Sequence, residues 1–190
     1  MKKRIKIQGL LMAAGFAVIA IFYRHILPAH GQGLAWEILG LGMVLLGYLL
    51  RISARGVKAE LNPDGKTLVV KGPYALTRNP MYLGTLLIGI GFIMALLRWW
   101  VSAIFLIIYL VIYIPQIRKE EVKLMIFFKG VFIDYCNQTP RFFPKIKKLL
   151  ATNPGDYLAF KLSWLKKELP SLAMTLVLII GIKILIHLYL

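Results

Sequence analysis

Apolar residues in this chain fall in long runs separated by short clusters of charge. A helix needs about 20 mostly apolar residues to cross a bilayer, within a range of about 17–25. Five runs meet that length, over residues 7–27, 34–50, 81–97, 99–117 and 169–190. Pro28 closes the first, Arg51 closes the second, and Pro80 opens the third. Only Arg98 separates the third run from the fourth, so these two are expected as an antiparallel hairpin. Trp99 and Trp100 would then sit in the interfacial aromatic belt. The pattern predicts an all-α, polytopic membrane protein with about five transmembrane helices, folded as one domain over residues 1–190.

Composition strengthens this reading. Of 190 residues, 59% are hydrophobic and 17% charged, with a mean hydropathy of +0.72. Soluble domains carry about 45–50% apolar and about 25% charged residues. The excess of apolar surface belongs in a bilayer.

The charge balance is 24 Lys and Arg against eight Asp and Glu, a formal +16. A basic patch can mark a nucleic-acid site. Here the basic residues lie between apolar runs, which points instead to topogenic charge and an anionic lipid surface. The N-terminus holds four of them, segment 51–78 six and segment 118–167 eleven, whereas the opposite side has only Arg24, Arg98 and Lys183. Five spans put the three basic segments on one face, which the positive-inside rule makes cytoplasmic, with the C-terminus opposite. A basic start before an apolar run also describes a signal peptide. Arg24 and His25 interrupt the path to the small-residue site Ala29-His30-Gly31, so this run is expected as a span.

Segment 118–167 is more than a loop. Residues 118–135 read as a continuation of the fourth helix past the membrane. Residues 157–165 set Tyr157, Leu158, Phe160, Leu162, Trp164 and Leu165 beside Lys161, Lys166 and Lys167. That pattern predicts an interfacial amphipathic helix, with a solvated linker as the alternative. Lys183 stands alone in the fifth span near its outer end and is expected to snorkel. His187 has no partner nearby in sequence.

Candidate chemistry concentrates in two clusters on the basic face. In the first, Thr67–Val70 is β-prone and Gly72-Pro73 turns the chain. Asn79 is placed to cap the third helix, with Pro80 at its first position. Tyr74, Arg78 and Tyr82 gather at the same helix start, where free amides favour a carboxylate or phosphate. The second cluster is Arg118-Lys119-Glu120-Glu121. Paired carboxylates there suit a sulfonium or ammonium ligand, and a mixed-charge solvated face is the plainer alternative. No G-x-G-x-x-G or P-loop is present, and Gly89-Ile90-Gly91 reads as a site of close helix packing. His25, His30 and His187 lack metal-ligand spacing, and Cys136 is the single cysteine, so no metal site is expected.

These clusters carry a resemblance. Leu68-Val69-Val70-Lys71-Gly72-Pro73-Tyr74, followed by Arg78-Asn79-Pro80-Met81-Tyr82-Leu83-Gly84, resembles the signature of the isoprenylcysteine carboxyl methyltransferase and phospholipid methyltransferase superfamily. Glu120-Glu121, Phe127-Phe128, Asp134-Tyr135 and Pro140-Arg141-Phe142-Phe143-Pro144 extend it, in order, to about residue 146. The family-like core thus covers about residues 60–146, with an additional C-terminal span.

The resemblance implies S-adenosylmethionine bound in a cytoplasmic pocket without a Rossmann fold. It implies cofactor contacts from Lys66, Thr67, Leu68, Val69, Tyr74, Asn79, Pro80, Met81, Tyr82 and Glu120. Arg118 and Glu121 become the candidate catalytic residues, Arg118 orienting a membrane lipid or lipidated acceptor. The family often has His where this chain has Asn79. Its substrate arginine often lies four residues before the first Glu, where this chain has Gln116. An NADPH-dependent membrane sterol or enone reductase, and a non-catalytic membrane subunit, stay open as alternatives.

Overall fold

The structure, a computed structural model, describes residues 25–27, 33–145 and 153–189. The expected first span, the basic N-terminus and the Ala29-His30-Gly31 site lie outside the described residues, apart from residues 25–27. Helices α1 (Leu34–Leu61), α2 (Pro73–Leu76), α3 (Pro80–Leu96) and α4 (Trp99–Phe128) are followed by α5 (Gly130–Gln138). After a gap come α6 (Pro154–Tyr157), α7 (Leu162–Leu165) and α8 (Leu169–Tyr189). Among the described residues none is in a strand. The β-prone run 67–70 therefore has no ladder to join. It runs back along the end of α1, with the Thr67 amide donating to Asn62 Oδ1 at 3.1 Å.

Helices α1 and α4 are long and apolar enough to cross a membrane, whereas α3 and the apolar part of α8 are shorter. With 28 and 30 residues they rise about 42 and 45 Å. Both outrun a hydrocarbon core of about 30 Å, so each carries its basic end beyond the apolar stretch.

The central contact is the antiparallel pair α1 and α3, built on glycine. A Cβ at Gly40 would lie 2.6 Å from the Gly91 carbonyl oxygen, and one at Gly91 would lie 2.5 Å from that of Gly40. Seven residues along, Gly47 and Gly84 face each other in the same way, each 2.7 Å from the other's carbonyl. Small residues let the two backbones touch where larger side chains would hold them apart. Gly91 thus packs as its sequence context suggests, and Gly89 sits against the Phe105 ring of α4.

Helix α3 ends at Leu96 and α4 begins at Trp99, which gives the expected hairpin. Its turn is held by residues 26–27: the Arg98 amide donates to the Ile26 carbonyl at 3.0 Å, and Arg98 Nε to that of Leu27 at 3.4 Å.

Polar contacts fix α8 on α1. The Tyr48 hydroxyl meets Thr175 Oγ1 at 2.8 Å and donates to the Ser171 carbonyl at 2.9 Å. Glu168, buried at the start of α8, pairs with Arg51 at 3.2 Å and Arg55 at 2.9 Å. Lys183 does not stand alone. Its Nζ pairs with Glu37 in the first turn of α1, a partner 146 residues away in sequence.

Residues 157–165 differ from the expected amphipathic helix. Tyr157 ends α6, residues 158–161 are not helical, and the short α7 lies on the basic end of α1. Trp164 covers Gly56, and Trp164 Nε1 and Lys161 Nζ both donate to Glu60 Oε1, at 3.0 and 2.8 Å. Phe160 and Leu162 remain exposed on the other side. Glycine at 56 opens the notch that accepts the indole, so the aromatic side chain turns inward.

Candidate functional site

Three local features bring the two clusters together. Gly72, at a φ of +59° open to few other residues, starts the single turn of α2 and presents Tyr74. Pro80 occupies the first turn of α3, as expected. Asn79 stands at the cap position but makes no side-chain cap bond. Its Nδ2 donates instead to Glu121 Oε1 at 3.3 Å and to the Arg141 carbonyl at 2.9 Å. Asn79 is itself buried, so its amide has to find acceptors within the fold. The turn before α3 is closed by Thr77 Oγ1, which accepts from the Asn79 amide at 3.3 Å and donates to the Arg141 carbonyl at 3.1 Å.

Glu120 and Glu121 are neighbours on α4 with different surroundings. Glu121 is buried between two guanidinium groups: Arg141 Nε donates to its Oε2 at 2.9 Å, and Arg78 Nε lies 3.6 Å from its Oε1. Arg78 also reaches Cys136 Sγ. Glu120 is only partly buried and accepts from the Tyr82 hydroxyl at 2.8 Å and from Gln116 Nε2 at 3.1 Å. Residues 38 to 43 positions apart in sequence are thus tied carboxylate by carboxylate: Glu121 orders the loop before α3 and the segment after α5, while Glu120 is held at an opening.

That opening is a solvent-connected cavity, about 510 Å³ when its open mouth is counted. Of the residues singled out in sequence, Tyr74, Asn79, Pro80, Met81, Tyr82, Glu120 and Glu121 line it. Lys66, Thr67, Leu68 and Val69 do not. They belong to the extended stretch between α1 and α2, where Val69 is buried. The basic residue on that side of the cavity is Lys58, which projects from the last turn of α1. Arg78 lines the cavity too, and Leu124, Phe132 and Tyr135 complete its wall. Phe132 and Tyr135 are three residues apart on α5, the spacing of one helix face, and that periodicity was the available signal for them. Lys58 had no such signal.

Arg118 is absent from this cavity and lines an adjoining groove with Arg141, Phe142 and Phe143. The two spaces meet at aromatic rings. Tyr82, on the cavity side, packs edge-on against Tyr113, on the groove side, at a centroid distance of 5.4 Å. Tyr113 in turn stacks on Tyr109 at 4.3 Å, and the Tyr109 hydroxyl donates to the Tyr82 carbonyl at 2.6 Å.

Burial raises the ionisation of Tyr74 well above the usual tyrosine range, with the nearby Glu120 carboxylate adding to the effect. Tyr135 is raised for the same first reason, and its hydroxyl donates to the Tyr74 carbonyl at 2.6 Å. Neither phenol is a base at neutral pH. The cavity is lined by two carboxylates, two basic side chains and a helix N-terminus, so it presents charge of both signs. Among the described residues no group of three or more His, Cys, Asp or Glu could hold a metal ion.

The curated relative cobalt-zinc-cadmium resistance protein CzcN of Cupriavidus metallidurans is 34% identical over 113 residues, 57% of this chain and 47% of the relative. The chain therefore spans about half the length of that relative. No solved structure matches. The phospholipid methyltransferase family matches residues 36–129, which run from the first turn of α1 to the end of α4 and stop short of α5 and Arg141. That stretch holds Tyr74, Asn79, Tyr82, Glu120 and Glu121 together, and by it the chain belongs to the phospholipid methyltransferase family.

Proposed function

We propose that this protein uses S-adenosylmethionine to methylate a membrane-embedded lipid or lipidated acceptor, at a carboxylate or phosphate, on the cytoplasmic side. The observation that carries the reading is the cavity at the start of α3, which Glu120 and Tyr82 line together with Arg78 and Lys58, all within the family-matched segment. The donor set fits the cofactor's amino-acid end. A half-buried carboxylate beside aromatic rings suits a sulfonium and an ammonium, while two basic side chains at a helix N-terminus suit a carboxylate.

When bound, the cofactor supplies an activated methyl group. The chain's part is alignment, which is worth about 7–11 kcal/mol in a well-oriented transfer. Tyr82 and Gln116 hold Glu120 in one orientation toward the cavity. Glu121 is a positioning residue: it fixes Arg78 and Arg141, and through Asn79 it ties the segment after α5 to the start of α3. Arg118 anchors the acceptor's negative charge beside the cavity. An anionic acceptor has no proton to lose, which agrees with a site whose phenols stay protonated.

The test is to incubate the purified protein with methyl-labelled S-adenosylmethionine and a membrane lipid extract, then to count label in the organic phase. Alkali-labile labelled lipid is expected. Alkali-stable label would move the acceptor to an amine. Absence of both transfer and cofactor binding would overturn the reading and favour a reductase or a non-catalytic subunit.

A further inference from the structure

Glu168 is 1% exposed and takes no part in the chemistry above. It immediately precedes α8, outside the segment that the family match covers. Its amide donates to the Leu165 carbonyl and its carbonyl accepts from the Leu172 amide, both at 2.9 Å, so the backbone is fixed on either side. A carboxylate is costly to bury unless charges and donors surround it. Glu168 meets that need with two guanidinium groups one helical turn apart on α1, those of Arg51 and Arg55.

The two arginines differ in what else holds them. Arg51 Nη1 donates to Thr85 Oγ1 at 2.7 Å, and Thr85 Oγ1 donates to the Met81 carbonyl at 2.9 Å, so Arg51 has a second anchor on α3. Arg55 Nη1 meets Glu168 at 2.9 Å and the Lys167 carbonyl at 3.2 Å. Both of these acceptors come from the residues that lead into α8. Arg55 lies one turn before Lys58, which lines the cofactor cavity. Burial dominates the raised ionisation of Tyr74 in the cavity wall; Glu120 adds to it and Arg55 opposes it. The Arg55 charge therefore reaches the cavity although Arg55 does not line it. A guanidinium released from Glu168 would find Glu120, the partly buried carboxylate of that cavity.

We propose that Glu168 is a positioning residue of the cofactor cavity: it keeps the Arg55 guanidinium turned away from Glu120, which stays open to the cofactor's positive groups. The inference rests on the methyltransferase reading and extends the working unit past the family-matched segment to the start of the C-terminal helix. Anchoring α8 does not by itself require this carboxylate, because Tyr48 already fixes the same end of that helix at Ser171 and Thr175.

The experiment measures S-adenosylmethionine binding by calorimetry on the full-length protein in an uncharged maltoside detergent. Glu168→Gln is expected to weaken binding about 10-fold, the scale of coupling between charges of one network. Adding Arg55→Gln to it should restore affinity to within about 2-fold of the wild type, the usual error of additivity. Tyr48→Phe loosens α8 one turn away and leaves both arginines paired, so it should bind as the wild type does. In methyl transfer the KM for the cofactor should rise in Glu168→Gln while kcat holds, because Glu168 touches no reacting atom. If Glu168→Gln does not fold, Glu168→Asp, which draws the carboxylate back by one methylene, gives the same comparison with and without Arg55→Gln. Unchanged binding in the Glu168 variants overturns the proposal. So does a loss that Arg55→Gln leaves in place, which would mean that Glu168 only anchors α8. In both cases wild-type binding spares the methyltransferase reading, whereas a wild type that binds no cofactor overturns that reading and the proposal with it.

Discussion

Gly47→Ala is expected to destabilise the protein, and Gly42→Ala, on the same helix, is not. At Gly47 an added Cβ would sit 2.7 Å from the Gly84 carbonyl oxygen and 2.9 Å from the Ile88 amide nitrogen. Ordinary contacts begin at 3.4 Å, so the new carbon falls about 0.7 Å short against backbone that no rotamer change can move. At Gly42 an added Cβ meets nothing within 4 Å. Both substitutions gain the same helix propensity, about 0.8–1 kcal/mol for alanine over glycine, so that contribution cancels between them. What remains is overpacking, typically about 1–3 kcal/mol. We expect the Gly47→Ala protein to be less stable than Gly42→Ala by that amount, read from helicity during a sodium dodecyl sulfate titration in mixed micelles. Gly84→Ala should behave like Gly47→Ala and also weaken cofactor binding, because Gly84 lies five residues after Asn79 on the helix that carries the cavity. Equal unfolding midpoints for the Gly42 and Gly47 variants would refute the reasoning and mean that α1 and α3 do not touch along this seam.

Other outcomes follow from the site and its supports. Glu121→Gln removes the one negative charge between Arg78 and Arg141. The loss should be toward the lower end of the about 3–5 kcal/mol for breaking a buried pair, because Arg141 is half-exposed and can turn to water. Glu120→Gln should cost less than about 1 kcal/mol in the same titration, and cofactor affinity should fall instead. Gly56→Ala would put a Cβ 1.9 Å from the Trp164 ring. The 157–168 segment should then leave α1, seen as faster trypsin cleavage at Lys161 and Lys166. Tyr74 and Tyr135 ionise later folded than unfolded. Their contribution to stability is therefore complete below about pH 10 and is lost as pH rises through that value toward the raised folded one. Tyrosinate absorbance and helicity followed from pH 9 to 12 should show these phenols titrating only with unfolding.

Sequence alone was enough for the helical class and the α3–α4 hairpin, which depend on local physics: apolar run length, a proline at a helix start, a one-residue break between runs. That Tyr74, Asn79, Pro80 and Tyr82 share a site with the glutamate pair was implied only by the family resemblance. Tertiary structure decided who partners whom. The antiparallel register brings Gly40 to Gly91 and Gly47 to Gly84, and nothing local in either helix specifies it. Asn79 is placed like a cap and spends its amide on Glu121 and Arg141, because a buried carboxylate and a carbonyl from distant segments converge there. Lys183 finds Glu37, and Glu168 finds Arg51 and Arg55, across separations of more than a hundred residues. Lys66 to Val69 directly precede the cavity-lining loop in sequence yet do not reach the cavity, leaving Lys58 as the cavity's basic residue on that side. Neighbouring glutamates on one turn are indistinguishable in a string of letters. Their roles separate only when helix α4 turns one toward two arginines and the other toward an opening.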